Sequence, residues 1–335
     1  MMEKLSGIYG HSNVSERLAQ AAKSGKLFNS YVFEGAKGCG KKTTADLFCA
    51  AVMCKNKEKN LPCGECDACR KVFSHNHPDV IYVKRDDGKK TIGVDNIREN
   101  VVNNVYIKPM LADKKIFVIT DGSDLTEQSQ NALLKILEEP PEYASFIIIT
   151  ENSGFLLQTV RSRSVVLSFL PVADSVTQKV LFEKTNGKYS ENEIRFASRF
   201  ARGVPGKGLE ILENEDFTRL YNETVKKMIA LFGKKNTVSD FEKFLNDEKE
   251  KVDLVIDFMI TFVRDCILAK KGCENLVVCE NYLVDIKKVC ESVSTKTLAK
   301  LSELILEYNE RLKYNAAFVS ATMDMLLNMR EQIKA

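Results

Sequence analysis

Residues 30–48 read SYVFEGAKGCGKKTTADLF: a short β-branched and aromatic run, a glycine-rich turn, and the opening of a helical pattern. A strand, a glycine loop and a helix in that order form the context in which backbone N–H groups wrap a phosphate. Gly35, Gly38 and Gly40 permit a tight loop, and Lys41 is spaced to reach the β and γ phosphates. The next position should carry a hydroxyl for Mg²⁺. Here it is Lys42, which has no acceptor, and a threonine comes one place late at Thr43. A second strand-like run, KIFVITDGSDL (115–125), ends at Asp121, placed to support the same metal. The following position, where a carboxylate would activate water, is Gly122, and Asp124 lies too far along to replace it. Two defects in one site predict the fold of an ATPase with hydrolysis lost. The glycines and Lys41 leave nucleotide binding without turnover open.

Working outward, SYVFEG (30–35), DVIYVK (79–84), KIFVIT (115–120), SFIIIT (145–150) and SVVLSF (164–169) read as strands. Ile116, Phe117, Val118 and Ile119 are consecutive and apolar, as in a strand buried on both faces. Helical spacing joins Val94, Ile97, Val101 and Val105, and again Leu133, Leu134, Ile136 and Leu137 before Pro140 and Pro141. Such alternation predicts an α/β domain with a largely parallel sheet over residues 1–169. After Pro171 the strand patterns stop. A small helical domain is expected over 170–213, broken at GVPG, and a larger helical domain over 214–335. In the latter, Leu298, Leu301, Leu304, Ile305, Tyr308 and Leu312 form one apolar stripe. Val319, Met323 and Leu326 form another, and Val252, Val255, Met259, Phe262 and Cys266 a third, as in a helical bundle.

The chain of 335 residues carries 49 basic and 46 acidic residues, a net +3, so it is no basic nucleic-acid wrapper. Lys84, Arg85, Lys89 and Lys90 are the best basic run, but DDG interrupts it. No apolar run is long enough for a membrane, and the N-terminus has no h-region, so a cytoplasmic protein is expected. Ten cysteines are then notable. Cys54, Cys63, Cys66 and Cys69 read C-x8-C-x2-C-x2-C, the makings of a closed tetrahedral zinc shell. Lys55, Lys57, Lys59 and Arg70 would favour the thiolates. An iron–sulfur site would need a further cysteine soon after Cys69, and none follows; unliganded thiols are the plainer alternative. Cys49 is expected in the core, Cys39, Cys266, Cys273, Cys279 and Cys290 as small apolar residues, and His75 and His77 as loop residues.

GHSNVSERLAQAAKSGKLFNSYVFEG (10–35), the phosphate loop, the cysteine insertion, HPDV (77–80), IGVDNIREN (92–100), QSQNALLKILEEPP (128–141) and VRSRS (160–164) occur in this order. Together they resemble the AAA+ clamp-loader subunits of bacterial DNA polymerase III, strongly over about residues 5–170 and weakly beyond. The resemblance implies an AAA+ domain, a helical lid and a helical collar that joins a ring of subunits. Within the family, tau/gamma motors keep intact nucleotide motifs, whereas the delta-prime branch has a degraded site. Lys42 and Gly122 place this chain with delta-prime, as does Gly206, which stands where the motors carry an arginine; Lys207 is one place off. The family's Ser-Arg-Cys motif reads Ser162-Arg163-Ser164. Arg163 is thereby implied as an arginine finger given in trans to a neighbouring motor's ATP, with Arg161 as the fallback. The implied partners are the tau/gamma motors, the delta subunit, the sliding clamp, and primed DNA through the complex. The chain would be part of DNA polymerase III holoenzyme, a DNA-directed DNA polymerase (a nucleotidyltransferase), without catalysis of its own. A motor ATPase with divergent motifs and a zinc-dependent DNA-binding module are the alternatives.

Overall fold

The computed structural model describes residues 5, 8–56, 61–214, 216–233, 237–313 and 317–334. These fall into two compact units, residues 1–189 with 201–209, and residues 190–200 with 210–335. The helices over 170–213 are thus shared between the units.

The first unit runs α1 (Ser12–Ser24), β1 (Ser30–Glu34), α2 (Lys41–Met53), α3 (Asp67–Phe73), β2 (Val80–Val83), α4 (Val94–Ile97), α5 (Asn103–Val105), β3 (Lys115–Ile119), α6 (Glu127–Glu138), β4 (Ala144–Thr150), α7 (Gln158–Arg161), β5 (Val165–Ser168) and α8 (Asp174–Lys184). A π-helical turn, Arg98–Val102, joins α4 to α5. All five strands expected from the sequence are present, in one parallel sheet of order β2-β3-β4-β1-β5. Every residue of β3 and β4 is buried, which is why these two strands read as unbroken apolar runs. Alternate side chains still divide between two cores. Ile116, Val118, Ile147 and Ile149 pack with α1, α2 and α3, while Phe117, Ile119, Phe146 and Ile148 pack with α4 to α7. Helix α6 opens on Thr126, whose Oγ1 accepts the Ser129 N–H at 3.2 Å, and stops before Pro140.

A parallel sheet places all strand C-termini on one edge. Gly35, Thr120 and Glu151, which follow β1, β3 and β4, therefore share an edge. Ser30, Ala144 and Val165, which open β1, β4 and β5, share the other.

A turn before β3 is fastened from below. Buried Asp79 accepts the N–H groups of Met110 (2.6 Å), Leu111 (2.7 Å) and Ala112 (3.0 Å). Buried Lys115 donates from Nζ to the carbonyls of Asn104 (3.0 Å) and Ile107 (2.9 Å). Between these anchors Tyr106, Ile107, Met110 and Leu111 stand exposed.

The second unit is helical: most of α9 (Glu191–Ala201), the end of α10 (Pro205–Glu213), then α11 (Phe217–Phe232), α12 (Val238–Asp247), α13 (Val252–Lys270), α14 (Leu283–Ser292), α15 (Thr295–Lys313) and α16 (Phe318–Lys334). Phe196, Phe200, Phe217, Tyr221 and Phe258 form a chain of edge-on and tilted ring contacts at its centre. The α13 and α15 stripes are buried largely as their spacing predicts. On α16 the expected stripe is rotated: Val319 is exposed, and the buried face is Ala321, Thr322, Met325, Leu326 and Met329. Thr322 belongs to that face because its hydroxyl meets Tyr308 Oη at 2.8 Å, a partnership that apolar spacing cannot register.

Asp79→Asn sets an amide NH₂ against N–H donors. It is expected to lower unfolding stability by roughly 2 kcal/mol, read from the shift of a urea midpoint at constant slope.

Candidate functional site

A cavity of about 510 Å³ opens at the C-terminal edge of the sheet. The phosphate loop, Thr120, Asp121, Asp124, Thr150 and Lys184 are among the residues that line it. Gly35, Gly38 and Gly40 all have positive φ, the conformation for which the sequence needs glycine. Lys41 opens α2 and is buried, but its ammonium faces the loop itself. Nζ donates to the Gly35 carbonyl and, at 2.8 Å, to the Ala36 carbonyl, with Cys39 Sγ at 3.8 Å. Lys42 and Thr43 are exposed. Successive helical residues are turned by about 100°, so Thr43 does not point where the residue after Lys41 would. Buried His11 meets the Cys39 carbonyl at 3.3 Å and stacks edge-on against Phe169. Burial lowers its pKa below the ordinary 6.5, partly offset by that hydrogen bond.

Two glycines beside the cavity are there because nothing larger fits. The Gly206 N–H donates to the Gly38 carbonyl at 2.8 Å. A Cβ on Gly206 would lie 2.5 Å from Gly38 Cα, so the first turn of α10 rests directly on the phosphate loop. At Gly122 a Cβ would fall 2.6 Å from Ile148 Cγ2 and 3.0 Å from the Ile149 carbonyl. The position after Asp121 is thus closed to a carboxylate by β4, not merely lacking one. Asp121 caps a short turn, with its Oδ2 accepting from Thr120 Oγ1 at 2.9 Å. Asp124, the other candidate base, pairs with Arg85 at 3.4 Å.

The cysteine cluster sits at the far end of α2. Cys54 caps that helix, Cys63 and Cys66 flank Gly64 at φ 77, and Cys66 and Cys69 begin α3. Their four Sγ atoms lie within 4.8 Å of one another, and those of Cys63 and Cys69 are 3.9 Å apart. Sulfurs about 2.3 Å from a common zinc would be about 3.8 Å apart, so these four fit a closed tetrahedral site. Desolvation opposes ionisation of Cys63, but backbone hydrogen bonds from Cys66 and Glu65 and the neighbouring thiols bring it down to about 6. Burial pushes Cys54 and Cys69 up. Among the described residues no histidine joins the cluster. His77 Nδ1 accepts the Asp79 N–H at 3.2 Å, and His75 packs edge-on against Tyr82. Cys49, Cys266 and Cys279 are fully buried, Cys39 and Cys290 are nearly so, and Cys273 is half-buried. Lys57 and Lys59 lie outside the described residues; Lys55 and Arg70 are exposed.

Arg163 lies apart from all of this. It follows α7 and precedes β5, at the N-terminal edge of the sheet. The turn is fixed at Ser164, whose Oγ donates to the Val160 carbonyl (2.9 Å) and meets Ser30 Oγ (2.8 Å). The serine that replaces the expected cysteine is therefore bonded to β1. Arg163 Nη1 donates to the Thr159 carbonyl at 2.9 Å, and Nη2 pairs with Glu138 Oε1 at 2.7 Å. Arg161 is exposed. The basic run is partly neutralised, Arg85 by Asp124 and Lys89 by Asp86. Glu138 and the Asp79-anchored turn were not singled out in the sequence, because both act through residues distant along the chain.

Purified protein is expected to carry one zinc per chain by elemental analysis, and stripping it with a chelator should lower the melting temperature by several degrees. Gly206→Ala should cost about 1–3 kcal/mol, read by chemical denaturation, with a cost near zero contradicting the contact with Gly38.

Two family models match, described as DNA polymerase III, delta subunit over residues 10–173, and DNA polymerase III, delta subunit, C terminal over residues 215–327. DNA polymerase III subunit delta' of Bacillus subtilis is 25% identical over 324 residues, covering 95% of each chain. DNA polymerase III subunit gamma of Buchnera aphidicola is also 25% identical, over 98% of this chain and 95% of its own. Among solved structures, a gamma subunit-related protein of Thermotoga maritima aligns over 95% of this chain and 99% of its own, at 20% identity and a TM-score of 0.43. No helix of the described residues is long and apolar enough to cross a membrane. With two delta-subunit models spanning most of its length and full-length relatives of the same complex, the chain belongs to the clamp-loader family of DNA polymerase III subunits.

Proposed function

We propose that this chain is the non-motor, delta-prime-type subunit of a cytoplasmic clamp loader. In this reading residues 1–169 form an AAA+ domain, 170–213 a lid and 214–335 a collar that binds the other subunits. The partners are tau/gamma motors, a delta subunit, the sliding clamp, and primed DNA reached through the complex. The cysteine cluster holds a structural zinc. The chain takes part in chromosomal replication without polymerase activity of its own.

The observation that carries the reading is the placement of Arg163. It sits at the edge of the sheet opposite to the phosphate loop, and the five residues of β1 separate the two ends by about 16 Å at about 3.3 Å per residue. Its guanidinium therefore does not serve its own cavity. A planar, permanently charged fork at a subunit's edge suits a nucleotide bound by a neighbour, where it meets charge developing on the γ-phosphate. The home cavity has features that oppose hydrolysis: Lys42 in place of a hydroxyl, and Gly122 with no room for a base. Positioned charge supplies most of the catalysis in phosphoryl transfer, so these losses weigh heavily. The motor reading keeps one point in its favour, a cavity of nucleotide size with Lys41, Thr43 and Asp121 on its wall.

Arg163→Ala, reconstituted with the motors, delta and clamp, is expected to assemble normally. ATP-dependent loading of the clamp onto primed DNA should fall by at least tenfold, a low estimate for removal of an arginine finger. Unchanged loading would sink the assignment.

A further inference from the structure

The geometry points to Glu138 as the positioning residue for Arg163, an inference that rests on the in-trans reading of that arginine. Glu138 is the last residue of α6, with Glu139 as the C-cap and Pro140 next. Two acidic residues at a helix C-terminus oppose the helix dipole, which favours cations there. Lys135 complements the dipole within the last turn of α6, but among the described residues the ion-pair partner of Glu138 is Arg163. The carboxylate is instead matched across the chain. Its Oε1 lies 2.7 Å from Arg163 Nη2, with the glutamate side chain half exposed and the arginine about one-third exposed.

A carboxylate that breaks a local rule and gains a distant partner marks a functional constraint more than a stability device. Exposed pairs of this kind add little to folding. What this one does is mechanical. Arginine is long and rich in rotamers, and an unpaired guanidinium at a subunit edge would sweep a wide volume. Here it is fixed between two helix ends: Nη1 on the Thr159 carbonyl of α7 and Nη2 on Glu138 of α6. The base of the turn is fixed as well, through Ser164 to Ser30 of β1. α6, α7 and β1 together set one direction for the guanidinium, and its remaining N–H donors are left to meet a phosphate oxygen. Glu138 does not touch the nucleotide; it raises the fraction of time that Arg163 is aimed at it.

The test uses the reconstituted complex of this chain with its motors, delta and clamp, and reads kcat and the KM for ATP of clamp-stimulated hydrolysis. Arg163→Ala should lower kcat. Glu138→Ala should lower kcat about tenfold, a moderate loss for a misaligned catalytic group, with KM for ATP, assembly and melting temperature unchanged. Glu138→Gln, which keeps the acceptor oxygen and the shape, should recover part of that loss, and it stands in should Glu138→Ala fail to fold. The double variant Glu138→Ala with Arg163→Ala should be no slower than Arg163→Ala alone, because Glu138 acts only through the arginine. If Arg163→Ala lowers kcat while both Glu138 variants keep or exceed the wild-type value, the positioning role is overturned and the in-trans arginine stands. Additive losses in the double variant overturn it likewise. If Arg163→Ala leaves kcat unchanged, both fall together.

Discussion

The contact between Gly38 and Gly206 is the constraint on which the nucleotide end of the molecule depends. The Gly206 N–H meets the Gly38 carbonyl at 2.8 Å; a Cβ on Gly206 would overlap Gly38 at 2.5 Å, and one on Gly38 would crowd Gly206 at 3.1 Å. Gly38 keeps a positive φ there, and in the same loop the carbonyls of Gly35 and Ala36 receive the Lys41 ammonium. Gly122 is pressed in turn against the Ile148 side chain and the Ile149 carbonyl, which leave little room for a side chain after Asp121. Tight interiors transmit such constraints because few voids remain to absorb a side chain.

The two ends of the sheet then divide the labour of the proposed function. The C-terminal edge keeps the form of a nucleotide site. The N-terminal edge carries Arg163, tied to Glu138, Thr159 and, through Ser164, to Ser30. A parallel sheet makes this separation unavoidable, since everything that follows a strand lies on one edge and everything that precedes a strand lies on the other. In the proposed function, a subunit built this way offers Arg163 to a neighbour's nucleotide and not to its own cavity. Helix α2 connects the phosphate loop at its start with the thiol cluster at its end, so a zinc there would brace the helix that carries Lys41.

Much of this was legible in the sequence, for physical reasons. Strands buried on both faces leave unbroken apolar runs, so β3 and β4 were plain from Ile116–Ile119 and Phe146–Ile149. Metal-site spacing is local, so Cys54, Cys63, Cys66 and Cys69 were grouped before their sulfurs were placed. Non-local matters were not legible. Gly206 could be seen to lack a side chain, but not that Gly38 forbids one. Asp79 gave no sign that it holds the turn at Met110–Ala112, thirty residues on, because a buried carboxylate bonded to backbone N–H groups leaves no periodic trace. The rotated face of α16 escaped for a related reason: Thr322 is buried through its hydroxyl, and polar residues are not counted in an apolar stripe.

In the proposed function this phosphate loop no longer runs a hydrolytic cycle. Steady-state ATP hydrolysis by the purified chain with Mg²⁺, wild type beside Lys41→Ala, tests it most directly. A site with Lys42 in place of a hydroxyl and Gly122 in place of a carboxylate predicts that the two proteins are indistinguishable at background. Turnover by the wild type that disappears in Lys41→Ala would contradict it and make the chain a motor in its own right.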